Sequence, residues 1–92
     1  MEVRRNEQRS RYELFDGDAV VGTADYREQA EDVVVMPHTE INPDRRGQGL
    51  GAVLVRGALD DLRERGATVV PVCWYVAEFI DEHPAYAEMV AA

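Results

Sequence analysis

The chain has 92 residues, of which 46% are hydrophobic and 30% charged, and a formal net charge of −8. That is the make-up of one soluble globular domain spanning residues 1–92, too small to bury more than about two-thirds of its unfolded surface. The acidic balance argues against nucleic acid, whose binding rests on phosphate neutralisation. It leans toward a cationic partner, such as an amine or a basic peptide.

The N-terminal MEVRRNEQRSR has no apolar core, so it does not read as a signal peptide. The longest apolar stretch, ATVVPVCWYVA, falls short of the roughly 20 residues that a membrane helix needs. No membrane association is expected, and the location expected is cytoplasmic. Cys73 is the one cysteine, which rules out an internal disulfide and fits a reducing compartment. All ten basic residues are arginine. A compositional bias explains this, and an enzyme handling an acyl donor would also benefit from lacking acylatable lysines.

In chain order, Arg11 to Asp16 alternates aromatic and polar residues as a strand does, and Asp16-Gly17 supplies a hairpin turn. Ala19 to Arg27 reads as the partner strand, followed by a polar connector. Val33 to Ile41 is a third strand, in which Pro37 predicts a bulge or an edge position because proline cannot donate to the ladder. Leu50, Val53, Leu54, Ala58, Leu59 and Leu62 recur at helical spacing, and Gly66 ends that helix. Ala67 to Cys73 is a short buried strand. An amphipathic helix follows from Trp74 and stops at Pro84, with a last helical turn or two after it. The fold class is therefore α/β (α+β): N-terminal antiparallel strands, a βαβ unit from Val33 to Cys73, and C-terminal helices. Ligands of such units sit outside the C-terminal ends of the strands.

Gly47, Gly49 and Gly51 stand at the start of the central helix, although glycine costs about 1 kcal/mol there relative to alanine. Uncrowded backbone N–H groups and the helix dipole make an anion site, to which Arg45 and Arg46 add guanidinium groups suited to phosphate. The alternative is a tight turn with close helix packing. The phosphate loop of nucleoside triphosphatases needs a lysine, and the dinucleotide fingerprint needs a different glycine spacing.

Arg46-Gly47-Gln48-Gly49-Leu50-Gly51 does match the Gln/Arg-x-x-Gly-x-Gly/Ala loop of the GNAT acetyltransferase superfamily. Pro71-Val72-Cys73-Trp74-Tyr75-Val76, followed by His83-Pro84, resembles the second block of a small stand-alone GNAT-like group. The resemblance spans Val33 to Val90 and implies a truncated GNAT fold that binds acetyl-coenzyme A. It implies that Arg45 to Gly51, including Gln48 and Leu50, hold the pyrophosphate and that strand residues near Ile41 pair with the pantetheine amides. The helices that shape the acceptor site of full-size relatives have no room here.

His38 and Glu40 alternate along the third strand, so they face the same side, an imidazole and a carboxylate able to take a proton from an amine. Cys73 ends the neighbouring strand, within plausible reach of His38, as a candidate nucleophile or acid; a small buried hydrophobe is the other reading. Tyr75 has the position of the tyrosine that protonates the leaving thiolate in many GNAT enzymes, with core packing as its alternative. Trp74 is open between a lid and packing, and His83 reads as structural. No metal site is expected. The expected reaction is acetyl transfer to a primary amine by direct transfer, with a Cys73 acyl intermediate as the variant to exclude. The rivals are a non-catalytic coenzyme A-binding module and an acidic interaction domain. Monomer or weak homodimer is the expected state.

Overall fold

The computed structural model describes residues 1–91. A five-stranded sheet runs in sequence order: β1 (Glu2–Asn6), β2 (Arg11–Asp16), β3 (Ala19–Ala30), β4 (Val33–Ile41) and β5 (Thr68–Val70). β1 to β4 are antiparallel neighbours, and β5 joins β4 in parallel. Helix α1 (Leu50–Glu64) connects β4 to β5, and α2 (Trp74–Glu82) follows β5. Short 3-10 segments lie at Pro43–Arg45 and Pro84–Met89. The expected βαβ unit is present, and its strands are parallel and adjacent.

Three features differ from the sequence reading. The charged N-terminus forms strand β1, in which Val3 and Arg5 turn toward the helices. Arg5 does so because its guanidinium lies 4.6 Å from the Tyr26 ring and its Nε donates to the Tyr26 hydroxyl at 3.0 Å. A long polar side chain thereby fills a core-side position. β3 runs on to Ala30 and absorbs most of the polar connector, leaving Glu31 and Asp32 as the turn. β5 stops at Val70, short of Cys73, because Pro71 cannot donate to the ladder.

One buried cluster holds the molecule together. Tyr12, Leu14, Ala24, Tyr26, Val34, Met36 and Val69 of the sheet meet Leu54, Val55, Ala58, Leu59 and Leu62 of α1 and Val76, Phe79 and Ile80 of α2. Both helices lie on this face, side by side, with the Tyr86 hydroxyl donating to Asp60 at 2.7 Å. The opposite face, which carries Glu13, Thr23, Asp25, His38 and Glu40, has no helix over it among the described residues. Within the ladder, Asp25 is opposite His38 and Arg27 opposite Val35, so Met36 and Pro37 together oppose Tyr26. The bulge expected at Pro37 is there.

Candidate active site

The two parallel strands separate early. Of β4, only Val33, Val34 and Val35 pair with β5. Beyond them the last backbone link is the Cys73 N–H, which donates to the Met36 carbonyl at 2.9 Å. From Pro37 onward the edge of β4 away from β3 has no strand beside it among the described residues. The Asn42 N–H donates to the Val21 carbonyl at 2.8 Å, which sets the ladder phase. Every second residue of an antiparallel strand turns its N–H and C=O to the same side. Thr39 and Ile41 therefore point theirs away from β3, toward the gap.

The gap is a cleft of about 460 Å³. One wall is this free edge of β4, with Thr39 and Ile41 turned in. The second is the loop before α1, where Arg45, Arg46, Gly47, Gly49, Leu50 and Gly51 line the cleft. The third is the start of α2, with Val72, Cys73, Trp74 and Tyr75.

The loop explains its own glycines. Gly47 and Gly49 have φ of 82° and 72°, in the left-handed region that disfavours side chains, and open space lies where their Cβ atoms would be. Gly49 is the N-cap of α1 and provides no side chain to cap it. The first-turn N–H groups, which lack partners inside any helix, are thus left facing the cleft end. Gly51 has a different cause: a Cβ there would meet the Tyr75 hydroxyl at 2.8 Å. The third glycine makes room for an aromatic ring from the second block, which could not be read from the loop alone. Of the two arginines, Arg45 donates to Asp16 at 2.6 Å and ties the loop to the β2–β3 turn. Arg46 is exposed.

At the other end Cys73 is 7% exposed, and its thiol donates to the Thr39 hydroxyl at 3.6 Å. Tyr75 lies half-buried above Gly51. Burial pushes its phenol up from the ordinary value, and the carboxylates of Glu78 and Glu82 push it further, so it holds its proton.

His38 and Glu40 do share a face, with Nε2 and Oε2 3.5 Å apart and side chains 60% and 66% exposed. That face is the helix-free one. Successive residues of a strand point to opposite sides, so Thr39 faces Cys73 while His38 points away from it. A Cys73–His38 pair does not form. His38 reaches the cleft at its rim; Glu40 and Gln48 do not line it. Thr39, Val72 and Trp74, all cleft-lining, went unassigned in the sequence. The alternation that joined His38 to Glu40 also joins Thr39 to Ile41, but nothing in it says which pair faces inward. Among the described residues no cluster of His, Cys, Asp and Glu is arranged to hold a metal ion.

The model of the GCN5-related N-acetyl-transferase family matches residues 11–89. The chain belongs to this family. Among curated proteins, cattle (Bos taurus) Protein NATD1 is 35% identical over 52 residues, 56% of this chain and 46% of that protein. The zebrafish (Danio rerio) Protein NATD1 is 30% identical over 67 residues, 71% of this chain and 61% of that protein. The chain thus spans about half the length of the curated relatives it matches. Among solved structures, a GCN5-like protein of Staphylococcus aureus, determined by NMR, superposes with a TM-score of 0.74 at 17% identity. That match covers 99% of this chain and 88% of the other. The ribosomal-protein-S18-alanine N-acetyltransferase of Escherichia coli gives 0.63 at 22% identity, over 84% of this chain and 52% of that one. Both show the fold, an α/β sheet of the GNAT type. No helix among the described residues is long and apolar enough to cross a membrane.

Proposed function

We propose that this domain binds acetyl-coenzyme A in the cleft and passes the acetyl group directly to a primary amine on a small molecule or a basic peptide. The observation that carries the reading is the cleft itself: an uncapped helix start beside Arg46 with the Tyr75 phenol over it, a free strand edge, and the Cys73 thiol all line one groove. The open space before Gly47 and Gly49 suits a pyrophosphate, which backbone N–H groups from Gly47 to Gly51 and the Arg46 guanidinium would hold. The edge of β4 at Thr39 and Ile41 offers donors and acceptors in the spacing that amides take beside a strand. When bound, acetyl-coenzyme A supplies an activated acyl thioester.

The protein's own groups supply the proton traffic. An amine must lose a proton and a thiolate must gain one. Tyr75, which lines the cleft and holds its proton, is one candidate acid, and Cys73 is the other. His38, with Glu40 beside it, stands across the β4 edge on the helix-free face and would accept the amine proton there, directly or through water. Base and acid on opposite sides of one strand edge suit two substrates that approach from opposite sides. That arrangement supports direct transfer, since Cys73 is buried against Thr39 with no base beside it among the described residues. The acidic surface would favour a cationic acceptor.

The uncovered sheet face also supports a second reading, in which the domain binds coenzyme A without turning it over. A thiol-release assay with acetyl-coenzyme A across polyamines, aromatic amines and basic peptides separates the two. Turnover with at least one amine, abolished or cut at least tenfold in Tyr75→Phe, supports transfer. Binding without release for any amine supports the second reading.

A further inference from the structure

The two edges of the sheet end differently. β5 has three residues, and the segment after the last 3-10 turn closes on it: Val90 bridges Val69, and the Ala91 N–H donates to the Val69 carbonyl at 2.8 Å. β1 has five residues, Glu2–Asn6, without proline, glycine or bulge, and no strand pairs with its outer side among the described residues. The ladder phase sets which backbone groups face outward there. The Tyr26 N–H donates to the Ser10 carbonyl at 3.0 Å, while Arg11 stands opposite Asp25. Arg11 and Glu13 therefore turn their backbone groups to β1, where they meet Asn6 and Arg4. Val3 and Arg5 are out of step with these and turn N–H and C=O outward, an open template for another strand. The Arg5 side chain does not block it, because the guanidinium is folded back over the Tyr12 and Tyr26 rings.

The side chains select the strand that fits. On the helix-free face, Glu2 and Arg4 bond to each other at 2.9 Å and stay more than half exposed. On the other face, Val53, Gly57 and Asp61 make one stripe of α1 at four-residue spacing. A Cβ on Gly57 would stand 2.5 Å from a Val3 methyl group, and Asp61 lies 3.9 Å from Arg5, so α1 runs along β1 in the same direction. Met1 and Val53, just before these two contacts, are 60% and 43% exposed beside the open edge. We propose that this edge pairs with its own counterpart in a second copy of the chain, β1 antiparallel to β1 about a two-fold axis at Val3. Val3 then exchanges both backbone hydrogen bonds with the partner's Val3. Glu2 stands opposite the partner's Arg4 in a non-hydrogen-bonded pair, where side chains come closest, and Arg4 opposite the partner's Glu2. Four charges of alternating sign close into a ring. An axis at Arg4 would instead set two arginines directly against each other, and an axis at Arg5 would leave Glu2 with no opposite charge. The pairing joins two sheets into one and leaves the cleft beyond β4 open in each copy, so it is independent of what fills that cleft.

The experiment is sedimentation of the full chain over a concentration series, with no ligand present. The parent is expected to reach twice the monomer mass with a Kd of about 0.1 mM, weak because so short an edge buries little area. Glu2→Arg and Arg4→Glu each set like charges across the axis and are expected to weaken the dimer about tenfold or more. Their melting temperatures should stay near the parent's, since both positions are exposed. An equimolar mixture of the two single variants is expected to associate, because every facing pair then has opposite signs. The variant that carries both changes is expected to recover the parent's affinity. A parent that stays monomeric at about 1 mM overturns the proposal. So does a dimer that both single variants leave intact, or one that they abolish and that neither the mixture nor the double variant restores.

Discussion

The Tyr75 hydroxyl occupies the space into which any side chain at position 51 would extend, 2.8 Å from where a Cβ would stand. Helix α1 and helix α2 meet at this point, and the candidate acid is held over the candidate phosphate loop by it. Gly51→Ala should therefore displace the phenol. The far end of a ring moves cheaply, and alanine in a first turn gains up to about 1 kcal/mol of helix propensity over glycine. The two effects nearly cancel in stability. Expected is a melting temperature within a few degrees of the parent, with acetyl transfer reduced at least tenfold. Unchanged transfer would mean that Tyr75 does not act from this position.

Gly49 behaves differently. Its φ of 72° is left-handed, and a side chain there costs roughly 1–2 kcal/mol. For a domain of this size each 1 kcal/mol lowers the melting temperature by roughly 4–8 °C. Gly49→Ala should show that drop in a thermal melt without any ligand present. A melt that matches the parent would mean the loop re-forms without strain.

The two arginines should separate. Arg46 is exposed at the cleft, whereas Arg45 is paired with Asp16 at 2.6 Å. Arg46→Gln should weaken coenzyme A about tenfold, an effect that shrinks with added salt. Arg45→Gln and Asp16→Asn should resemble each other, with smaller losses from a looser loop. Equal, salt-sensitive losses at both arginines, with Asp16→Asn unaffected, would show that Arg45 leaves its partner to bind phosphate.

Much of the chain was legible because apolar spacing is local. α1 and β4 fall where the pattern places them, and the Pro37 bulge follows from a missing N–H. What was not legible depended on neighbours distant in sequence. β1 carries one obvious apolar residue, Val3, and its other core-side residue is an arginine whose burial makes sense only beside Tyr12 and Tyr26. The period of two joins His38 to Glu40, but the face they occupy is fixed by the pairing of Ile41 with Gly22. Gly51 reads as part of an anion loop until Tyr75 is placed against it.

Away from the cleft, Asp61 accepts from the Tyr12 hydroxyl at 2.6 Å and from Arg65 at 2.7 Å. Partial burial alone would raise its carboxyl, but those hydrogen bonds and the charges of Arg65 and Arg5 hold it below the ordinary 3.8. A depressed carboxyl stabilises the fold above its unfolded value and loses that contribution as pH falls through the folded value. The stability gap between parent and Asp61→Asn should thus be constant at neutral pH and narrow progressively as the pH falls below about 4. Urea melts across the acid range measure it, and a gap that stays constant or widens as the pH falls below about 4 would contradict the assignment.

Cys73 should be dispensable for direct transfer. Cys73→Ala is expected to keep most of the activity, and mass spectrometry of the parent mixed with acetyl-coenzyme A in the absence of amine is expected to show no acetyl adduct on Cys73. An adduct that an amine then discharges would establish the acyl-enzyme route.

The central claim is that the cleft between β4, the glycine loop and α2 receives coenzyme A. Calorimetric titration with acetyl-coenzyme A, with NADH and ATP as controls, tests it most directly. The account predicts selective binding with a Kd in the micromolar range, about −8 kcal/mol, weakened by Arg46→Gln. No heat from acetyl-coenzyme A, with an unchanged melting temperature, would contradict it and leave the glycines with a role in the fold alone.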